Sequence, residues 1–157
     1  MSCPQQLKSG EYLLVSLQHA RAVGTPIAEP LVYPARPAPI LVLDLGLRPV
    51  QFYIREGANR TYHMTVLGGR NVRENPKENR RIFAYDDAEI EEYEIICAAN
   101  QLGYVIRKPS TNYVFTVPAQ LQKEPACNQI SLEPIKPTQG QEYSLNQLFA
   151  IIPLPPV

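Results

Sequence analysis

Tryptophan is absent from the chain, histidine occurs twice and cysteine three times. Each scarcity removes a class of function. His19 and His63 have no neighbouring ligand type at metal-binding spacing, so a histidine-built metal centre or catalytic site has little to draw on. Cys3, Cys97 and Cys127 are an odd number without short metal-type spacing. Free thiols are the expectation, with Cys97 a small apolar core residue and Cys3 in a loose terminus. Net charge is lacking as well, because 15 Lys plus Arg face 15 Asp plus Glu. That balance takes away the electrostatic footprint of general nucleic-acid or anionic-membrane binding. No apolar run is long enough for a signal peptide or a membrane span. A cytoplasmic protein is the expectation, with unconventional secretion as the alternative. No glycine-rich phosphate cradle follows a strand and opens a helix. Paired carboxylates occur only in the acidic stretch Asp86, Asp87, Glu89, Glu91, Glu92 and Glu94. An enzyme is therefore not expected, and neither a metal nor a cofactor.

A sustained 3.6-residue apolar period is also missing. Short alternating runs rich in Val, Ile, Tyr and Phe stand in its place, separated by Gly, Pro and Asn. The chain reads as all-β, with single helical turns conceivable at 87–93 and 143–148. Recurrence is more informative. Tyr12, Tyr62 and Tyr104 each open a Tyr-x-aliphatic run, and Phe52, Tyr93 and Phe149 each open an aromatic-x-Ile run. The two kinds alternate. Between them lie further candidate strands at 22–24, 71–73 and 113–117, and at 41–43, 82–84 and 130–132. Leu41 precedes Phe52 by eleven residues and Ile82 precedes Tyr93 by eleven, but Ile130 precedes Phe149 by nineteen. About eight residues are thus inserted around 136–145. One domain spanning 1–157 is expected, in three units of four strands at about 10–55, 60–97 and 102–152. Twelve short strands in three pseudo-repeats are the layout of a β-trefoil, a closed barrel capped by hairpins.

Gly10-Glu11-Tyr12, Ala22-Val23-Gly24, the long loop before a Leu-Val-Leu strand, Ile130-Ser131-Leu132-Glu133-Pro134 and Gln147-Leu148-Phe149-Ala150-Ile151 together resemble the mushroom β-trefoil protease inhibitors. The nearest group is the cospin and cnispin type, which inhibits serine proteases; the mycocypins, which inhibit cysteine proteases, are more distant. The resemblance spans nearly the whole chain and rests on scaffold residues. One departure is the lack of tryptophan, whose fourth-strand places Phe52, Tyr93 and Phe149 take. What the resemblance implies is a monomeric serine-protease inhibitor of trypsin-, chymotrypsin- or elastase-like enzymes, serving fungal defence or control of endogenous proteolysis. A surface loop would enter the protease cleft like a substrate, either 25–39 or 136–145.

The stretch 25–39 holds five prolines and no glycine, so it is stiff and extended. Within it Ile27, Ala28, Glu29, Pro30, Leu31, Val32 and Arg36 are the candidate contact residues. Arg36 is followed by Pro37, which crowds the leaving side of a serine-protease cleft. The same shield stands after Arg48, Lys108 and Lys136, a pattern that suits resistance to tryptic cleavage. Leu31, with Pro30 before it and Val32 after it, ranks first, Ile27 to Glu29 next, and Arg36 last. The run 68–81 has five basic and two acidic residues. By resemblance to the mycocypins, Asn71 or Asn75 would contact a legumain-type protease. Lys136 is the candidate in the second loop. A carbohydrate-binding trefoil lectin is the competing expectation, with Tyr113 as the stacking ring; the missing tryptophan and Gln-x-Trp signature count against it. His63, between Tyr62 and Met64, is expected to point to solvent.

Overall fold

The computed structural model describes residues 6–25, 36–66, 68–98, 101–136 and 143–155. Among them the chain forms strands and short 3-10 turns. The strands fall into three sets. The first is β1 (Gly10–Ser16), β2 (Arg21–Gly24), β3 (Ala38–Pro39), β4 (Leu41–Val42) and β5 (Phe52–Glu56); the second is β6 (Thr61–Val66), β7 (Arg70–Asn75), β8 (Arg81–Tyr85) and β9 (Glu92–Ala98). The third is β10 (Gly103–Arg107), β11 (Tyr113–Thr116), β12 (Ser131–Pro134) and β13 (Phe149–Pro153).

Pairing closes a ring. β1 pairs with β5, β5 with β6, β6 with β9, β9 with β10, β10 with β13, and β13 again with β1, all antiparallel. A closed circuit leaves no unpaired edge among its members. The other strands form the hairpin pairs β2–β4, β7–β8 and β11–β12, one from each set. Where these meet, three isoleucines tie the sets together through their backbones. The Ile40 N–H donates to the Ile82 carbonyl, the Ile82 N–H to Ile130, and the Ile130 N–H back to Ile40, each at 3.0 Å. All three side chains are fully buried.

This triangle explains why β3 and β4 are two pieces of one strand. Ala38 and Pro39 pair with β8, whereas Leu41 and Val42 pair with β2, and Ile40 between them turns its backbone to the triangle. Pro39 has no N–H to continue a ladder. The equivalent of Ile82 and Ile130 is therefore Ile40. The expected anchor, Leu41, is one residue late.

Strand alternation fills the barrel. β1 buries Tyr12, Leu14 and Ser16, β5 buries Phe52 and Ile54, and β13 buries Phe149 and Ile151. Phe52, Tyr93 and Phe149 are each wholly inaccessible to solvent. Tyr93 meets Phe115 edge-on, with ring centroids 5.0 Å apart, the arrangement that ring quadrupoles favour.

Three expectations need correcting. His63 does lie on the face opposite Tyr62 and Met64, yet it is buried, because Arg55 and Asn71 on the flanking strands cover it. Residues 86–88 form bends, with no helical turn in 87–93; a 3-10 turn does occur at Leu145–Gln147. Cys97 is half-buried and disulfide-bonded instead of being a free core thiol. Cys127 is free and exposed, and Cys3 lies outside the described residues.

Candidate functional site

The connections differ most between the second and third strand positions of each set. Thirteen residues (25–37) separate β2 from β3, five (76–80) separate β7 from β8, and fourteen (117–130) separate β11 from β12. Ile27, Ala28, Glu29, Pro30, Leu31 and Val32 all lie outside the described residues. The described ends of their loop are anchored. Thr25 is fully buried, and Ala38 pairs with Ala84 on the neighbouring set. Arg36 is exposed just before that anchor, with Pro37 after it.

The basic run 68–81 is a β-hairpin rather than a free loop. Gly68 and Gly69 adopt left-handed φ of 75° and 105° at its entry, a conformation natural to glycine. Asn71 lies in β7 and is only 5 % exposed. His63 Nε2 donates to Asn71 Oδ1 at 2.6 Å, and Asn71 Nδ2 donates to the Asp87 carbonyl at 2.7 Å. Arg55 donates to His63 Nδ1 at 3.0 Å, so the imidazole bonds in the Nε2–H tautomer. The Asn71 amide is used inside the molecule and is not presented to a partner. Asn75 closes the hairpin, its Oδ1 accepting from the Lys77 N–H at 3.1 Å.

Arg73 is buried beside this relay. Its guanidinium donates to both Asp87 oxygens, at 2.5 and 3.0 Å, and to the Glu89 carbonyl at 2.9 Å. It also lies 4.0 Å from the centroid of Tyr85. These hydrogen bonds raise the Arg73 pKa and hold the Asp87 carboxyl below the usual carboxylate range. Across the sheet Lys108 pairs with Glu74, a carboxylate whose side chain is 3 % exposed. The basic and acidic stretches thus meet through Arg73, which pairs with Asp87 and Glu89.

In the third set, loop attachment depends on two carboxamides, the buried Gln147 and the half-buried Gln101. Lys136 is exposed, and its N–H donates to Gln147 Oε1 at 3.0 Å. Gln147 Nε2 donates to Thr116 Oγ1 at 3.1 Å and to the Pro134 carbonyl at 2.9 Å. Gln101 holds Tyr143 through the Tyr143 N–H and carbonyl, which fixes the far end of the same loop.

The loop 117–130 carries the fullest set of such clamps, and its residues were not among the sequence candidates. The Val117 N–H donates to the Asn146 carbonyl, and Asn146 Nδ2 donates to the Val117 carbonyl. His19 Nε2 donates to the Pro118 carbonyl at 2.6 Å. Leu121 packs against the core. Asn128, 1 % exposed, accepts from the Gln122 N–H at 2.8 Å and donates to the Gln122 carbonyl at 3.0 Å. The readable signal was the wide gap between the candidate strands at 113–117 and 130–132.

Tyr113, the candidate sugar-stacking ring, has the Arg80 guanidinium 3.9 Å from its centroid, so one of its faces is taken. Tyr53, 44 % exposed, is the more open aromatic ring. It lines a surface groove of about 600 Å³ with Glu11, Arg48 and Gln51. Among the described residues no cluster of three His, Cys, Asp or Glu side chains is placed to hold a metal ion, and no helix is long and apolar enough to cross a membrane.

No family model and no curated protein sequence matches the chain. Solved structures do. A proteinase inhibitor from Coprinopsis cinerea superposes with a TM-score of 0.78 at 20 % identity, over 95 % of this chain and 100 % of that one. The Rhizoctonia solani agglutinin gives 0.70 at 13 % identity, over 97 % of this chain and 100 % of that one. A Macrolepiota procera ricin B-like lectin in complex with lactose gives 0.61 at 14 % identity, over 96 % and 100 %. The resemblance to mushroom protease inhibitors read in the sequence is thus matched by a full-length likeness in fold.

Proposed function

We propose that the protein is a β-trefoil protease inhibitor, acting on serine proteases by inserting a rigid surface loop into the active site. The observation that carries this reading is the end-to-end likeness to the Coprinopsis cinerea proteinase inhibitor. The physical support is preorganisation. A loop mounted on a closed barrel and clamped at its feet loses little freedom on docking, so a modest interface binds tightly. No substrate is turned over, no cofactor takes part, and one copy of the chain meets one protease.

The primary contact loop is 25–39, with Leu31 reading the specificity pocket of a chymotrypsin- or elastase-like enzyme. The test is a panel of serine and cysteine proteases assayed with fluorogenic substrates. The wild-type chain is expected to inhibit at least one serine protease in the nanomolar range, and Leu31→Gly to weaken that inhibition about 100-fold. Leu31→Gly leaving every susceptible protease equally inhibited sinks the assignment of the loop.

A second reading, sugar binding, has the exposed Tyr53 ring in its favour, together with the likeness to a lectin and an agglutinin. A glycan array with defined hits beside a blank protease panel would replace the first reading by this one.

A further inference from the structure

The threefold register sets equivalent rows of residues across the outside of the barrel. In the first row Glu11 of β1 pairs with Tyr53 of β5, and Tyr53 pairs with Thr65 of β6. The second row is Thr61, Glu94 and Arg107 on β6, β9 and β10. In the third, the Tyr104–Phe149 pairing sets Gly103 beside Ala150, and Ala150 pairs with Val15. Tyr53, Glu94 and Ala150 each follow a wholly buried aromatic residue, so alternation turns them outward.

The three rows have diverged. The second is closed on itself, since Arg107 Nε donates to Glu94 at 2.9 Å and Thr61 Oγ1 donates to Glu92 at 2.7 Å. The third holds a glycine, an alanine and a valine, with no polar side chain. The first joins an aromatic ring to polar neighbours that are free. Among the described residues, the side chains of Glu11, Tyr53 and Thr65 make no hydrogen bond or ion pair within the chain. Tyr53 also stands between two hollows. One, of about 600 Å³, is bounded by Arg48 and Gln51, the other, of about 540 Å³, by Ser9 and Pro153, and both Glu11 and Tyr53 line each of them. Hollows of this size hold small molecules.

The chemistry of the row fits a sugar. A tyrosine ring is an apolar plate with a polar tip, and the apolar face of a pyranose lies flat on such a plate. Residues paired across strands have Cβ atoms about 4.5–5.5 Å apart, so a sugar seated on Tyr53 has hydroxyl groups within reach of Glu11 on one side and Thr65 on the other. A hydroxyl both donates and accepts, which satisfies the Glu11 carboxylate, an acceptor, and the Arg48 guanidinium, a donor, together. One acid and one base leave the groove without net charge, which favours a neutral sugar over a uronic or sulfated one. A peptide fits less well. The closed circuit of strands offers no edge for an added strand, and a proline-rich helix docks in a groove lined with aromatic rings, whereas Tyr12, the other ring here, is buried.

We propose that the outer face of β1, β5 and β6 binds a neutral oligosaccharide, stacked at its centre on Tyr53 and running from one hollow into the other, with Glu11, Arg48, Gln51 and Thr65 bonding its hydroxyl groups. The proposal rests on the sugar reading and deepens it by giving it a site and a ligand class. It uses no residue of 25–39, so sugar binding and protease inhibition are compatible in one chain.

The experiment probes a glycan array with the wild-type chain, Tyr53→Ala, Tyr53→Phe and Glu11→Gln, and titrates each by calorimetry with lactose, cellotetraose and chitotetraose. Both altered residues are exposed, so the variants fold as the wild type does, and thermal melts check it. The wild-type chain is expected to mark neutral oligosaccharides on the array and to bind one of the tetrasaccharides about 10-fold or more tighter than lactose. Tyr53→Ala should weaken this binding about 30-fold and Glu11→Gln about 10-fold, while Tyr53→Phe, which keeps the plate, stays within about 3-fold. Array signals that survive Tyr53→Ala put the sugar elsewhere and overturn the site, in which case the sugar reading stands. Hits confined to uronic or sulfated glycans, or lactose binding as tightly as both tetrasaccharides, overturn the ligand class. A wild-type chain that marks no glycan overturns the proposal and the sugar reading together and leaves the inhibitor reading untouched.

Discussion

Replacing Lys108 by methionine isolates the most deeply buried charge described in the molecule. The Glu74 side chain is 3 % exposed; one of its oxygens pairs with the Lys108 ammonium, and the other, Oε2, has no hydrogen-bond partner. Lys108→Met keeps most of the aliphatic stem and leaves that carboxylate uncompensated. Breaking a buried pair in this way costs about 3–5 kcal/mol. The Lys108 side chain is 34 % exposed, so water reaches the vacated place and the lower end, about 3 kcal/mol, is expected. For a domain of this size each kcal/mol moves the melting point by about 2–4 °C, so the midpoint should fall by roughly 6–12 °C. Calorimetry at neutral pH measures it. Glu74→Gln combined with Lys108→Met removes the lone charge and should recover most of the loss. A single variant within about 0.5 kcal/mol of wild type, the scatter of ordinary surface changes, refutes the argument.

The other two tests concern the axis and the acid side. Ile82→Ala, at a fully buried corner of the backbone triangle, should cost about 2–5 kcal/mol in chemical denaturation, and Ile82→Val about 1 kcal/mol. Asp87, hydrogen-bonded by Arg73, has its pKa lowered in the folded chain. The unfolded state therefore binds more protons as pH falls through that range, and the stabilisation is present above about pH 4 and lost below it. Its side chain is 44 % exposed, which holds the effect to about 1 kcal/mol or less; Asp87→Asn should flatten the acid limb of a stability–pH curve by that amount.

The all-β class was legible because strand alternation survives in β1, β5 and β13 and no helical period competes with it. Register was harder. Ile40, Leu41, Val42 and Leu43 are all buried, and a continuous apolar run carries no phase, so Leu41 stood in for Ile40. His63 shows the limit of a local pattern. Alternation placed it correctly on the outer face, but its cover comes from Arg55 and Asn71 on other strands, pairings that no short window contains. The carboxamide clamps were hidden for a related reason. Asn128, Asn146 and Gln147 are polar residues in connections, where a local pattern carries no sign of burial; it is set by the backbone groups they satisfy.

Loop lengths break the threefold pattern that the isoleucine triangle keeps. Between the third and fourth strand positions the connections have nine, six and fourteen residues (43–51, 86–91 and 135–148). Lengthening a surface loop costs little, about 0.6 kcal/mol for each doubling, so the barrel tolerates such growth at any corner. Free length alone makes a poor reader of another protein, because each ordered residue costs about 1–2 kcal/mol when it docks. The clamps at Val117, Gln122, Lys136 and Tyr143 shift part of that cost to folding. A sugar site on the same scaffold needs an open aromatic face; Arg80 lies over Tyr113, where one was expected, whereas Tyr53 is open. The buried carboxamides fix the feet of the loops whichever partner those loops meet, and Asn128→Ala, which removes a clamp and no exposed side chain, tests that rigidity.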